Sequence, residues 1–224
     1  MEQSSIADVD LVLKTMAETI LANEKYFSEL DAVAADGDFG SSLAHGFEVV
    51  LKDFATFDRT NVGTLLKKIA LVISSKIGGT SGPLWGTAFL RAGATAGDRL
   101  RLAPADLIAM LRAAVAGIQQ RGGAQLGDKT LLDALVPAID SLEADLANPD
   151  GTADHGIAAL QRAADEATRA AEATTGLVAK KGRAAYTGER SVGSPDPGAV
   201  AIGVILQRIS AAWCESHGAG KEDK

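Results

Sequence analysis

Apolar positions recur along this chain at intervals of three and four residues, the spacing that gathers them on one face of a helix. A first run covers roughly 5–30, with Ile6, Val9, Leu13, Met16, Ile20 and Phe27 in phase. A second covers roughly 40–55 (Leu43, Phe47, Val50, Leu51, Phe54). A third, roughly 61–76, follows Thr60, a good N-cap, and carries Leu65, Leu66, Ile69 and Val72. The fourth spans roughly 83–98. The fifth starts at Pro104, suited to a first helical turn, and runs to about 120 through Leu107, Met110, Leu111, Val115 and Ile118. The sixth follows Asp128 and reaches about 146, and the seventh, roughly 152–179, is long and Ala-rich. The eighth opens at Asp196-Pro197 and ends near 215. No convincing strand intervenes, no Pro/Gly/Ser linker divides the chain, and no repeat of fixed period occurs. The pattern predicts an all-α fold, with one domain over 1–217 and a polar tail over 218–224.

Composition agrees. Among 224 residues, 46% are hydrophobic but only 4% aromatic, and Ala supplies 41. Ala is the best helix former, whereas strands favour β-branched and aromatic side chains. A net charge of −7 argues against a broad nucleic-acid surface, which needs a basic stripe. The single cysteine, Cys214, excludes an internal disulfide framework and a thiolate zinc site, and reads as buried packing. The start, MEQSSIADVD, lacks the basic and apolar regions of a secretory signal. The longest apolar stretch, Pro197 to Leu206, has about ten residues against the roughly 20 of a membrane span. A soluble, cytoplasmic protein is expected.

The connections between helices fall into two kinds. FATFDRT, AGDRLRLAP and ANPDGT are ordinary. LDAVAADGDFGSS, SKIGGTSGPLWG, QRGGAQLGDKT and KKGRAAYTGERSVGSPDPG hold most of the glycine clusters and the unusual charges. These richer connections are the first, third, fifth and seventh. If neighbouring helices run antiparallel, as short connections imply, they converge on one end of the molecule.

Each carries candidate chemistry beside a plainer reading. Asp31, Asp36 and Asp38 suit a hard divalent cation, with Gly37 and Gly40 letting the backbone bend; the plainer reading is an acidic turn in which Asp38 caps the next helix. Gly78 to Pro83 precedes a helix and offers free N–H groups to phosphate, or is a turn with a Ser or Thr cap. Gly122-Gly123 through Gly127-Asp128-Lys129-Thr130 pairs flexible backbone with one acid and one base, and Asp128 also reads as a helix cap. Lys180, Lys181, Arg183 and Arg190 form the most basic stretch, either a solvated charge run or a phosphate-facing loop. His155 and His217 read as surface residues, His45 as a packing or supporting one, and Trp85 as a core anchor rather than a base-stacking platform. On one rim, clustered carboxylates, Gly-rich turns and an Arg/Lys loop are the parts of a Mg-nucleotide site.

These segments resemble one family. Leu30-Asp31 with Asp36-Gly37-Asp38-Phe39-Gly40, Gly78 to Leu84, Gly127 to Thr130, Lys181 to Tyr186 with Gly188 to Ser191, and Asp196-Pro197-Gly198 are similar, in order, to the nucleotide-binding L subunit of dihydroxyacetone kinases (DhaL, or DAK2-type, domains). The resemblance implies an up-and-down barrel of eight antiparallel helices holding a nucleotide, ADP or ATP, and two Mg²⁺ ions at one end. By position it implies Asp31, Asp36 and Asp38 as metal ligands, and Phe39, Gly40, Ser41, Ser42, Thr80, Ser81, Gly122, Leu131, Arg183, Asp196, Pro197 and Gly198 along the nucleotide. Arg183 is also the implied catalytic residue. The implied partners are a ketose-binding (DhaK-like) subunit and, in one branch, a phosphocarrier subunit of the phosphotransferase system that recharges a tightly held ADP. In another branch ATP is consumed and exchanged. Ala35 stands where the family often has Gly, and Phe39 where many members have His, so that a packing or stacking contact replaces a polar one.

The expected function is phosphoryl transfer from a Mg-nucleotide to dihydroxyacetone, or to a related ketose, held by the partner. The alternative, that of some relatives, is a non-catalytic nucleotide-binding module docking on a transcription factor.

Overall fold

A computed structural model describes residues 3–147 and 155–218. Its helices are α1 (Ile6–Ala22), α2 (Glu24–Asp31), α3 (Phe39–Asp53), α4 (Val62–Lys76), α5 (Ser81–Ala96), α6 (Pro104–Gly122), α7 (Leu132–Ala147), α8 (His155–Ala173) and α9 (Pro197–Gly218). Each of α3 to α8 packs on the next in sequence, α1 packs on α3, and α9 returns to pack on α1. The all-α, up-and-down reading holds, and the helices close a ring.

The first predicted helix is two. Asn23 stops α1, its side-chain Nδ2 donating to the Thr19 carbonyl at 2.8 Å while its backbone leaves helical geometry. Short amide side chains compete in this way for helix carbonyls, and the apolar period running on to Phe27 conceals the break. At the start of α4 the cap is Asn61 rather than Thr60: Asn61 Oδ1 accepts from Thr64 N at 2.7 Å. Thr60 is instead bonded back to Asp58. The predicted helix over 152–179 stops at Ala173, where buried Thr174 opens a 3-10 turn over Thr174–Gly176. Its first residues, the connection ANPDGT beyond Ala147 and the tail beyond Gly218 lie outside the described residues. A strand pair, β1 (Ser4–Ser5) antiparallel to β2 (Arg101–Leu102), was not foreseen; two residues are too few to show a period.

With so few aromatic rings, the core relies on aliphatic interdigitation and close helix approach. Phe47 lies at its centre, edge-on to Trp85 at 6.1 Å and beside Phe89 at 6.3 Å. Trp85 is thus a core anchor. A Cβ on Gly63 would stand 2.1 Å from the Gly97 carbonyl oxygen, so glycine sets how closely α4 meets the end of α5. Along α8, Ala159, Ala163, Ala164, Ala167 and Ala171 are buried, giving the neighbouring helices a smooth face. α9 is longer and more apolar than its ten-residue stretch suggested, with mean hydropathy 1.3 over 18 residues, enough by length and composition alone to cross a bilayer. Its Ala199, Ala201, Ile202, Ile205 and Ile209 are buried in this bundle.

Three single-residue expectations are corrected. Cys214 is exposed, on the outer face of α9's last turns. His155 is buried, its Nε2 within 2.8 Å of the Asp145 carbonyl across α7 and α8. His45 is exposed.

Candidate functional site

The four glycine-rich connections meet in a ring at one end of the bundle. The first and fourth are joined by an ion pair: Arg183 Nη1 donates to Asp38 Oδ2 at 2.8 Å and also to Asp36. The first and second touch where a Cβ on Gly78 would stand 3.6 Å from Ser42 Oγ. Gly122, at the end of α6, faces Leu84 in the first turn of α5. The third and fourth are joined by Lys180 N to the Asp128 carbonyl at 3.0 Å. Residues distant in sequence therefore share one rim, as the antiparallel argument required.

The acidic loop is built around Asp31, the last residue of α2. Its Oδ2 accepts from Gly37 N at 2.9 Å, and Gly37 has the positive φ of 77° that turns the chain back. Gly40 then enters α3 against α2, where a Cβ would lie 2.0 Å from the Glu24 carbonyl oxygen. One ligand atom each from Asp31, Asp36 and Asp38 lie within 4.8 Å of one another. Burial raises the Asp31 carboxyl, and the neighbouring Asp36 and Asp38 charges add to the rise. Asp36 is held below the usual range, chiefly by its bond from Arg183. Three carboxylates this close need a countercharge, and the guanidinium supplies it here. Oxygen donors in this number and spacing fit a hard cation such as Mg²⁺, completed by water or phosphate. Asp38 is not a side-chain cap for α3; its carboxylate faces Arg183 instead.

The other candidate residues lie on the connections and helix starts of the same rim. Phe39 turns inward, its ring 6.3 Å from Phe27, so the position packs rather than presenting a polar group. Ser41 N bonds to Ser28 Oγ, and Ser41 and Ser42 follow in the first turn of α3. Thr80 is exposed, precedes α5 and makes no side-chain cap bond, so its hydroxyl satisfies none of the first N–H groups of α5. A Cβ on Gly198 would stand 3.1 Å from Leu131 Cβ, and Asp196 caps α9 by accepting from Ala199 N at 2.7 Å. Desolvation, with the nearby Asp133 charge, pushes the Asp196 carboxyl up to about 7. Arg183 lies against the acidic loop rather than the Thr80–Ser81 turn. A cleft of about 390 Å³ opens beside it, lined by Val33, Asp36, Thr187 and Arg190 among others.

Two features of the third connection differ from expectation. Asp128 does not cap α7; its Oδ2 accepts from Gln125 N, within the loop. Asp133, which drew no attention in the sequence, braces the turn through Gly127 N and Thr130 N at 2.5 and 2.7 Å. The fourth connection is more ordered than its composition suggested, folding as a 3-10 segment over Arg183–Ser191.

Comparison with known proteins points the same way. The family model of the DAK2 domain matches residues 33–211. The ADP-binding subunit DhaL of the PTS-dependent dihydroxyacetone kinase from Lactococcus lactis is 35% identical over 192 residues, 86% of this chain and 90% of that protein. The ADP-binding subunit DhaL of the PEP-dependent dihydroxyacetone kinase from Escherichia coli K12 is 36% identical over 192 residues, 84% of this chain and 88% of that one. Among solved structures, the dihydroxyacetone kinase of C. freundii in complex with AMP-PNP and Mg²⁺ superposes with a TM-score of 0.73 at 27% identity. The match covers 94% of this chain, which spans about a third of that longer one (35%).

Proposed function

We propose a function from the premise that this chain belongs to the DAK2-domain family: it is the nucleotide-binding, phosphoryl-transferring subunit of a dihydroxyacetone-type kinase, working in the cytoplasm beside a subunit that holds the ketose. The observation that carries this reading is the convergence of Asp31, Asp36 and Asp38 with Arg183 at the meeting point of four glycine-rich connections. The relatives named for ADP binding and the kinase solved with AMP-PNP and Mg²⁺ support it.

In this reading Asp31, Asp36 and Asp38 hold two Mg²⁺ ions. When bound, the ions neutralise the phosphate oxygens and favour charge movement toward the leaving group. The chain's own residues do the rest. Gly37 N–H orients Asp31, so one ligand is set before anything binds. Ser41, Ser42, Thr80 and Ser81 offer hydroxyls and helix-start N–H groups to the phosphates. Leu131 and the Asp196–Gly198 turn form the wall on the nucleoside side, with Gly122 closing the α6 end. Arg183 leaves the carboxylates and turns its planar fork to the phosphoryl group, where negative charge develops. No side chain here forms a covalent intermediate; the acceptor hydroxyl comes from the ketose on the partner.

Titration calorimetry with Mg–ADP, followed by a transfer assay with the ketose-holding subunit, tests the reading. Micromolar or tighter binding that disappears in Asp36→Ala, together with transfer to dihydroxyacetone, is expected. Binding without transfer to any ketose favours a regulatory module, and no binding by the unaltered chain refutes the nucleotide reading.

A further inference from the structure

Lys129 is the one non-glycine residue with positive φ (61°) among the described residues, and it is buried. That backbone conformation strains a lysine and suits a glycine. The turn is fixed on both sides, by Asp133 bonding Gly127 N and Thr130 N. What the strain accompanies is the reach of the side chain. The ammonium donates to three main-chain carbonyls: Leu177 at 3.1 Å, Ser191 at 2.5 Å and Ser194 at 2.7 Å. An ammonium has three donors, so none is left for a ligand.

Those acceptors lie at the two ends of the segment that displays Arg183. Leu177 precedes the 3-10 stretch, Ser191 ends it, and Ser194 follows. The segment has little apolar burial of its own: Tyr186 is 91% exposed and Val192 is exposed. Its shape therefore depends on polar ties at its base, where Ala179 N also bonds Ser191 Oγ and Gly193 N bonds the Thr175 carbonyl.

We propose that Lys129 is a positioning residue, an internal pin whose ammonium draws both ends of segment 177–194 together and so sets where Arg183 stands on the rim. Burial lowers the pKa of this ammonium, and the Asp196 charge partly opposes that effect. The consequence for nucleotide affinity rests on the functional reading above; the consequence for the segment's order does not.

The test uses the full chain with Lys129→Gly, which relieves the backbone strain and removes the pin. Amide hydrogen exchange across 177–194 should accelerate about tenfold or more, with α4 and α5 unchanged, and Mg–ADP affinity should fall about tenfold. Added n-butylammonium chloride, which supplies the missing side chain, should restore both, and equal sodium chloride should not. Lys129→Met, which keeps the stem and the strain, should show the same loosening. A glycine variant whose segment stays as protected as the unaltered protein's overturns the proposal, as does a loosened segment indifferent to butylammonium. If the unaltered chain fails to bind Mg–ADP, the nucleotide reading falls while the exchange results still decide the role of Lys129.

Discussion

Two arginines at opposite ends of the bundle use the same chemistry for different ends. Arg59, between α3 and α4, donates Nε to Asp10 Oδ2 at 2.8 Å and its terminal nitrogens to the Phe57 and Phe54 carbonyls at 2.8 and 2.9 Å. It also lies over the Phe54 ring, and both partners of the ion pair are largely covered (27% and 22% exposed). Arg183, on the rim, meets two carboxylates and, among the described residues, no carbonyl, and all three side chains are about half exposed (53%, 47% and 50%). The covered arginine bonds through all three of its nitrogens and holds elements together. The exposed one balances a local excess of negative charge that water screens, an arrangement worth little to stability and easily exchanged for another cation.

The contrast can be broken experimentally. The largest effect belongs to the acidic cluster: Asp36→Ala should weaken Mg–ADP binding by at least about a hundredfold, read by calorimetry, with the melting temperature nearly unchanged. Arg59→Ala should do the reverse, destabilising the fold by about 2–3 kcal/mol in urea titration while Mg–ADP affinity stays within about twofold, because covered carbonyls and Asp10 lose their donor. A smaller, pH-dependent effect separates the rim further. Asp196 has its carboxyl raised to about 7 from an ordinary 3.8, so the folded state holds a proton that the unfolded chain has lost. Between those values its contribution to stability falls as pH rises, and the loss is complete above about 7. The stability difference between Asp196→Asn and the unaltered protein should grow in the variant's favour from pH 4 to pH 7, by on the order of 1 kcal/mol or more. Arg183→Ala should have the smallest structural effect, lowering Mg–ADP affinity about tenfold with little change in melting temperature. An Arg183 variant that melts early with intact affinity would reverse the assignment of roles.

The rim was legible because its signals are local and additive. Carboxylates at Asp31, Asp36 and Asp38, glycine pairs before α5 and after α6, and Arg183 among lysines all stand in alternate connections, and helix direction alone brings alternate connections together. Features that depend on a single side chain's direction were not legible. Met16, Ile20 and Phe27 keep phase through Asn23, so the break between α1 and α2 shows only in the amide's reach to Thr19. Lys129 reads as the base of a flexible loop, because nothing in Gly-Asp-Lys-Thr says that the turn points the lysine inward. The burial of His155 and the exposure of Cys214 follow from rotations of α8 and α9 that a broad apolar face leaves free.

Ring closure has a consequence for how such a bundle is joined to other chains. α1 begins, and α9 finishes, at the pole away from the Asp31, Asp36 and Asp38 carboxylates, where His217 Nε2 sits 3.1 Å from Asp8 Oδ1. Polypeptide spliced onto either side would leave from beneath the molecule, with the working mouth unobstructed. One architecture can thus serve as a free-standing subunit or as a tethered module, and a tether anchored there would raise the local concentration of an acceptor-bearing neighbour without touching the mouth itself.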